Sequence, residues 1–257
     1  SDGEGGIDTA TVNLTVDGEN DVPVAVDDIA STDEDTAVTI NVLANDTDAD
    51  GNALTVTGAV IATGIDATVT VNDDGTLTFT PGESYNALGV GDSEEVVVTY
   101  TISDGQGGTD TATATVTING SNDGPVAVGG SAGDTLEDTG LSGQLSASDV
   151  DGDTLSFGLA DSGGPEHGTI EIGEDGSYTY VPDQDYSGVD SFTYQVSDGE
   201  GGTDTATITL SVTAVADNPV VIVSDETGAE DQWTQLHLGA QETDIDGSET
   251  LSVLITN

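Results

Sequence analysis

The stretch Ser103–Ile118 reads SDGQGGTDTATATVTI: an acidic, glycine-rich turn running into strict alternation of small apolar residues with threonine. Ala112, Ala114, Val116 and Ile118 fall on one face and the threonines on the other, the period-two signature of a half-buried strand. The same sentence is written three times, as SDGEGGIDTATVNLTV from Ser1 and SDGEGGTDTATITLSV from Ser197. The copies are roughly 100 residues apart, the size of one β-sandwich domain.

Other landmarks recur in the same order around it. A linker follows each copy: NDVPVAVDD from Asn20, NDGPVAVGG from Asn122, DNPVVIVSD from Asp217. An acidic pair comes next, at Glu34-Asp35, Glu137-Asp138 and Glu230-Asp231, and then an Asp-x-Asp-Gly turn at Asp48/Asp50, Asp149/Asp151 and Asp244/Asp246. Two hairpins, DDGTLTFTP from Asp73 and EDGSYTYVP from Glu174, carry Asp-Gly pairs that predict two-residue turns. The chain therefore reads as the C-terminal end of one repeat (1–21), two whole repeats (22–123 and 124–217), and the N-terminal part of another (218–257). The fold class is all-β: tandem immunoglobulin-like, antiparallel sandwiches in a linear rod, with no helical period of useful length. The single tryptophan, Trp233, and few aromatics mean light cores.

Composition narrows the function. The 257 residues hold 50 Asp plus Glu and no Lys, Arg or Cys. Nucleic acid and anionic membranes are excluded as partners, because both are gripped by cationic side chains. Surface ion pairs with Lys or Arg cannot form, so the mutual repulsion of the carboxylates must be relieved from outside. Clustered carboxylates in irregular loops suit calcium, a hard cation tolerant of many oxygen ligands. No stretch is long and apolar enough to insert in a membrane. Nucleophile–base pairs and phosphate-cradling loops are absent, so the chain reads as non-enzymatic. His167 and His237 read as surface or half-buried strand residues.

In the order of these landmarks the chain resembles cadherin repeats, and more closely the cadherin-like, VCBS-type repeats of large bacterial RTX-type surface adhesins. The resemblance implies calcium between successive domains. Its ligands at the first linker would be Asn20, Asp21, Asp48, Asp50 and Asp104. At the second they would be Glu34, Asn122, Asp123, Asp149, Asp151 and Asp198; at the third, Glu137, Asp217, Asn218, Asp244 and Asp246. Gly18, Gly120 and Val215 stand where cadherin linkers carry a first aspartate, which implies fewer ions per junction. The resemblance further implies export to the bacterial surface by a type I route. It implies a mechanical role in attachment and biofilm, with neighbouring repeats as partners and host-cell or surface ligands met through other domains. The alternative is direct binding of a carbohydrate or protein. That reading lacks converging exposed aromatics.

Overall fold

The computed structural model describes residues 3–5, 8–216, 220–223 and 238–241. Two compact units divide between Ser121 and Asn122. Asp217, Asn218, Trp233, His237, Asp244 and Asp246 lie outside the described residues.

In the first unit β1 (Asp28–Asp33), β7 (Thr109–Asn119), β6 (Ser93–Ser103) and β3 (Thr55–Ile61) form one sheet in the order β1-β7-β6-β3. β2 (Val38–Ile40), β5 (Leu77–Pro81) and β4 (Ala67–Val71) form a second. The second unit repeats the plan. β9 (Gly130–Leu136), β16 (Thr203–Thr213), β15 (Gly188–Ser197) and β12 (Ser156–Leu159) make the larger sheet, in that spatial order. β10 (Leu141–Gln144), β14 (Ser177–Pro182) and β13 (Gly168–Ile172) make the smaller. A short pair, β8 (Val126–Ala127) with β11 (Ala147–Ser148), matches the isolated bridge Val24–Thr47 of the first repeat. Residues 220–223 and 238–241 form a separate antiparallel pair, β17 and β18.

The alternation read in the sequence builds the cores. Ala114, Val116 and Ile118 of β7 are fully buried, and Val98, Tyr100 and Ile102 of β6 meet them, with Leu77 and Phe79 of β5 in the same cluster. In the second repeat Phe192, Tyr194 and Val196 of β15 and Leu210 and Val212 of β16 pack with Tyr178 and Tyr180 of β14.

Three expectations need amendment. The sheets are not wholly antiparallel: β1 runs parallel to β7, and β9 parallel to β16. The first strand of each repeat thus lies beside the last, a long-range pairing that local pattern cannot show. The hairpins are not two-residue turns. Gly75 N–H donates to Asn72 O at 3.0 Å and Asn72 N–H to Thr76 O at 2.8 Å, so Asp73, Asp74 and Gly75 form a three-residue loop. Gly75 takes φ +83°, the left-handed residue that closes a type I turn into a bulge. The Gly173–Ser177 hairpin closes in the same way. Finally, residues 8–16 alternate as a strand should, yet no strand is assigned there and Val12, Leu14 and Val16 are exposed. No described strand of this chain lies beside them, and alternation without a ladder does not hold a strand.

Candidate metal centres

The SDGxGG segment enters the last strand of each repeat, and its aspartate turns inward. Asp104 is 4% exposed and Asp198 5%. Asp104 Oδ1 accepts N–H bonds from Gln106 at 2.7 Å and Gly108 at 2.9 Å, and its Oδ2 accepts the Asn20 amide at 2.7 Å. Asp198 Oδ1 takes Glu200, Gly201 and Gly202 N–H groups, and Oδ2 takes the Asn122 amide at 2.9 Å. The side-chain amide of Asn20 above all, with the backbone donors, holds the Asp104 carboxyl below its ordinary range against the opposing effect of burial. Asn122 does the same for Asp198. Glycine is required at 108 and 202 because a Cβ there would overlap the aspartate's own Oδ2.

The Asp-x-Asp-Gly turn is tied to the same linker. Asp48 Oδ1 accepts N–H from Asp50 and Asn52, both at 3.0 Å, and Asp50 Oδ2 accepts the Asp21 N–H at 2.7 Å. In repeat 2 Asp149 Oδ1 accepts N–H from Asp151 at 3.0 Å and Asp153 at 3.3 Å, and Asp151 Oδ2 accepts the Asp123 N–H at 2.8 Å. Backbone bonds thus consume one oxygen of each aspartate and leave the other. Asp48 Oδ2, Asp149 Oδ2, Asp151 Oδ1 and Asn122 Oδ1 are buried with no hydrogen-bond partner. A buried acceptor without a donor costs about 1–3 kcal/mol, more when charged. In a chain without Lys or Arg, a cation from solution is the natural remedy. The donor set is all oxygen, which fits a hard divalent ion such as calcium.

Each repeat therefore brings five expected residues to one end: Asn20, Asp21, Asp48, Asp50 and Asp104 in the first, Asn122, Asp123, Asp149, Asp151 and Asp198 in the second. Glu34 is placed elsewhere. It is 3% exposed just after β1, and its Oε1 accepts Ser121 N–H at 2.8 Å and the Ser121 hydroxyl at 2.6 Å. Ser121 follows β7 whereas Asp104 precedes it, so an 11-residue strand of roughly 35 Å separates the two within one repeat. Glu34 Oε2 is likewise buried without a hydrogen-bond partner. Glu137, 4% exposed, occupies the matching place in repeat 2 and accepts Val215 N–H at 2.5 Å.

Two residues were missed from sequence. Asp149, Asp151 and Asp153 each offer a carboxylate oxygen within 4.8 Å of the others, the one such acidic triad among the described residues. Desolvation first, then repulsion from Asp149, Asp151, Glu200 and Asp198, raises the Asp153 pKa. Asn52 is its counterpart in repeat 1, and its Nδ2 donates to Asn20 Oδ1 at 3.2 Å. The signal was one residue further along the turn: D-x-D-G-N in one repeat, D-x-D-G-D in the other.

Residues 122–214 match the family model described as the bacterial cadherin-like domain, and residues 20–117 that of the bacterial Ig domain. The second repeat is thus similar to a bacterial cadherin-like domain and the first to a bacterial Ig domain. Among solved structures, this chain is similar to human CDH23 EC21-23, at 19% identity and TM-score 0.54 over 87% of this chain and 81% of that one, which shows the fold. Protocadherin gamma B7 domains 1-4 matches at 13% identity and TM-score 0.41, over 83% of this chain and 55% of its own length. An endo-fucoidan hydrolase from glycoside hydrolase family 107 matches at 22% identity and TM-score 0.29, over 79% of this chain and 30% of that one. No curated protein matches. No helix among the described residues is long and apolar enough to cross a membrane.

Proposed function

We propose that this chain is a calcium-stiffened spacer from a large bacterial surface adhesin, extracellular, carrying binding domains away from the cell for attachment and biofilm formation. The observation that supports this most directly is the repetition of one arrangement. Both cadherin-like repeats assemble an oxygen-only cluster from the linker, the Asp-x-Asp-Gly turn and the SDGxGG segment. Both leave a buried aspartate oxygen there without a hydrogen-bond partner. Calcium would be held by Asn20, Asp21, Asp48, Asp50 and Asp104 in one repeat and Asn122, Asp123, Asp149, Asp151 and Asp198 in the next, where it neutralises the crowded carboxylates. Glu34 and Glu137 are proposed as further ligands for the cation at the linker that follows each. The reason is chain continuity: Ser121, which Glu34 holds, is followed directly by Asn122. By the same repeat pattern Asp217, Asn218, Asp244 and Asp246 would form a third cluster. The role is mechanical rather than catalytic.

Small-angle scattering in calcium, in chelator and in magnesium tests the proposal. A longer, stiffer particle in calcium alone is the expected result. Identical profiles in all three would reject calcium stiffening.

A further inference from the structure

The two aspartate turns differ at one position, and the difference changes what each turn needs. In repeat 1 Asn52 offers an amide, and its Nδ2 donates to Asn20 Oδ1. That linker oxygen is satisfied by the protein itself. In repeat 2 Asp153 stands in the same place, and a carboxylate has no proton to give at neutral pH. Its linker oxygen, Asn122 Oδ1, has no hydrogen-bond partner. Asp149 Oδ2 and Asp151 Oδ1 are in the same condition, whereas in repeat 1 such oxygens are Asp48 Oδ2 and, two residues before it, Asp46 Oδ2. A second exchange adds to the contrast: Gln106 in repeat 1 is Glu200 in repeat 2, each donating its N–H to the buried aspartate. Repeat 2 therefore carries a carboxylate at two positions of the cluster where repeat 1 carries an amide, and three orphaned acceptors against two.

We propose that Asp153 makes the turn of repeat 2 the tighter of the two cation sites, so that repeat 2 fills first as calcium rises, while Asn52 partly substitutes for the cation in repeat 1. This rests on the calcium reading above. Even under the full dielectric screening of water, an added carboxylate about 4 Å from a divalent ion strengthens its binding by roughly tenfold or more. The amide of Asn52 acts in the other direction, since it occupies an oxygen that the ion would otherwise take. A graded response follows, with one turn ordered at low calcium and the other only at high calcium.

The test is a calcium chloride titration of the full chain, followed through the backbone amide resonances of Gly51 and Gly152, which report the two turns separately. Gly152 should shift at about a tenth of the calcium concentration that Gly51 needs. Asp153→Asn should bring Gly152 to the Gly51 midpoint, and Asn52→Asp should move Gly51 the opposite way. The second variant keeps the test decisive if the first does not fold. Equal midpoints in the parent chain, or midpoints indifferent to both exchanges, would overturn the ordering and leave calcium binding itself intact. No shift at either glycine would overturn the calcium reading, and this inference with it.

Discussion

Asp28 and Asp46 reach the Tyr100 hydroxyl from two sides in the first repeat. The hydroxyl donates to Val26 O or Asp28 Oδ2, both at 2.9 Å, and Asp46 Oδ1 lies 3.4 Å away. Burial, then repulsion between them, raises the Asp28 pKa; burial foremost raises that of Asp46. A raised carboxylate penalises the fold at neutral pH, and protonation relieves the penalty as pH falls through the raised value. Asp104, Asp198 and Asp110 are depressed instead, so their contribution is complete above the unfolded value near 3.9 and disappears as pH falls below it. Thermal stability in chelator should therefore rise on acidifying from neutral pH as the raised carboxylates protonate, and fall once the pH drops below the unfolded carboxylate value near 3.9. Thermal scans across pH check both limbs, and Asp46→Asn should flatten the rise and raise stability at pH 7. Tyr100→Phe should cost about 1–2 kcal/mol in urea unfolding, because Val26 O and Asp28 lose a buried donor. None of this was legible in sequence. Tyr194 holds the matching position in repeat 2 and bonds only backbone, at Ser146 O and Val128, so the motif gives no hint that one tyrosine meets two aspartates.

At the scale of elements, the strands were legible wherever alternation meets a turn. Threonine and apolar residues swap faces along β7 and β16, and the buried set is the one that period two selects. What alternation leaves open is the partner of each strand, and the parallel placement of β1 on β7 and β9 on β16 came only from the fold. Loop length was also misread, because Asp-Gly serves two- and three-residue hairpins alike. The three-residue loop makes a specific demand on Gly75. Its φ is +83°, and a Cβ would lie 3.0 Å from Leu43 Cδ1. Gly75→Ala should destabilise repeat 1 by about 1 kcal/mol. Urea unfolding of the parent and variant measures this; no loss would contradict the loop assignment.

Over the two described repeats, the gathering of carboxylates was legible because three aspartate-bearing motifs recur in fixed order, and folding brings those of each repeat to one end. The parts that resisted reading were Asp153 and Asn52, whose chemistry depends on a neighbour across the turn rather than on the motif. A chain of 50 acidic side chains and no Lys or Arg has two ways to be stable: strong cores, or neutralisation from solution. The cores are modest, and the orphaned oxygens favour the second. Asp149→Asn with Asp151→Asn should abolish the calcium-dependent stabilisation of repeat 2 and leave in repeat 1 that part which the Asn20–Asp104 cluster supplies, as hydrogen exchange at β16 and β7 would report. The central claim is tested most directly by calorimetric unfolding of the intact chain in calcium and in chelator, with magnesium as control. Binding at a hundred times the dissociation constant adds roughly 2.7 kcal/mol per site, so the account predicts transitions several degrees higher in calcium alone. Superimposable scans in calcium and chelator would contradict it.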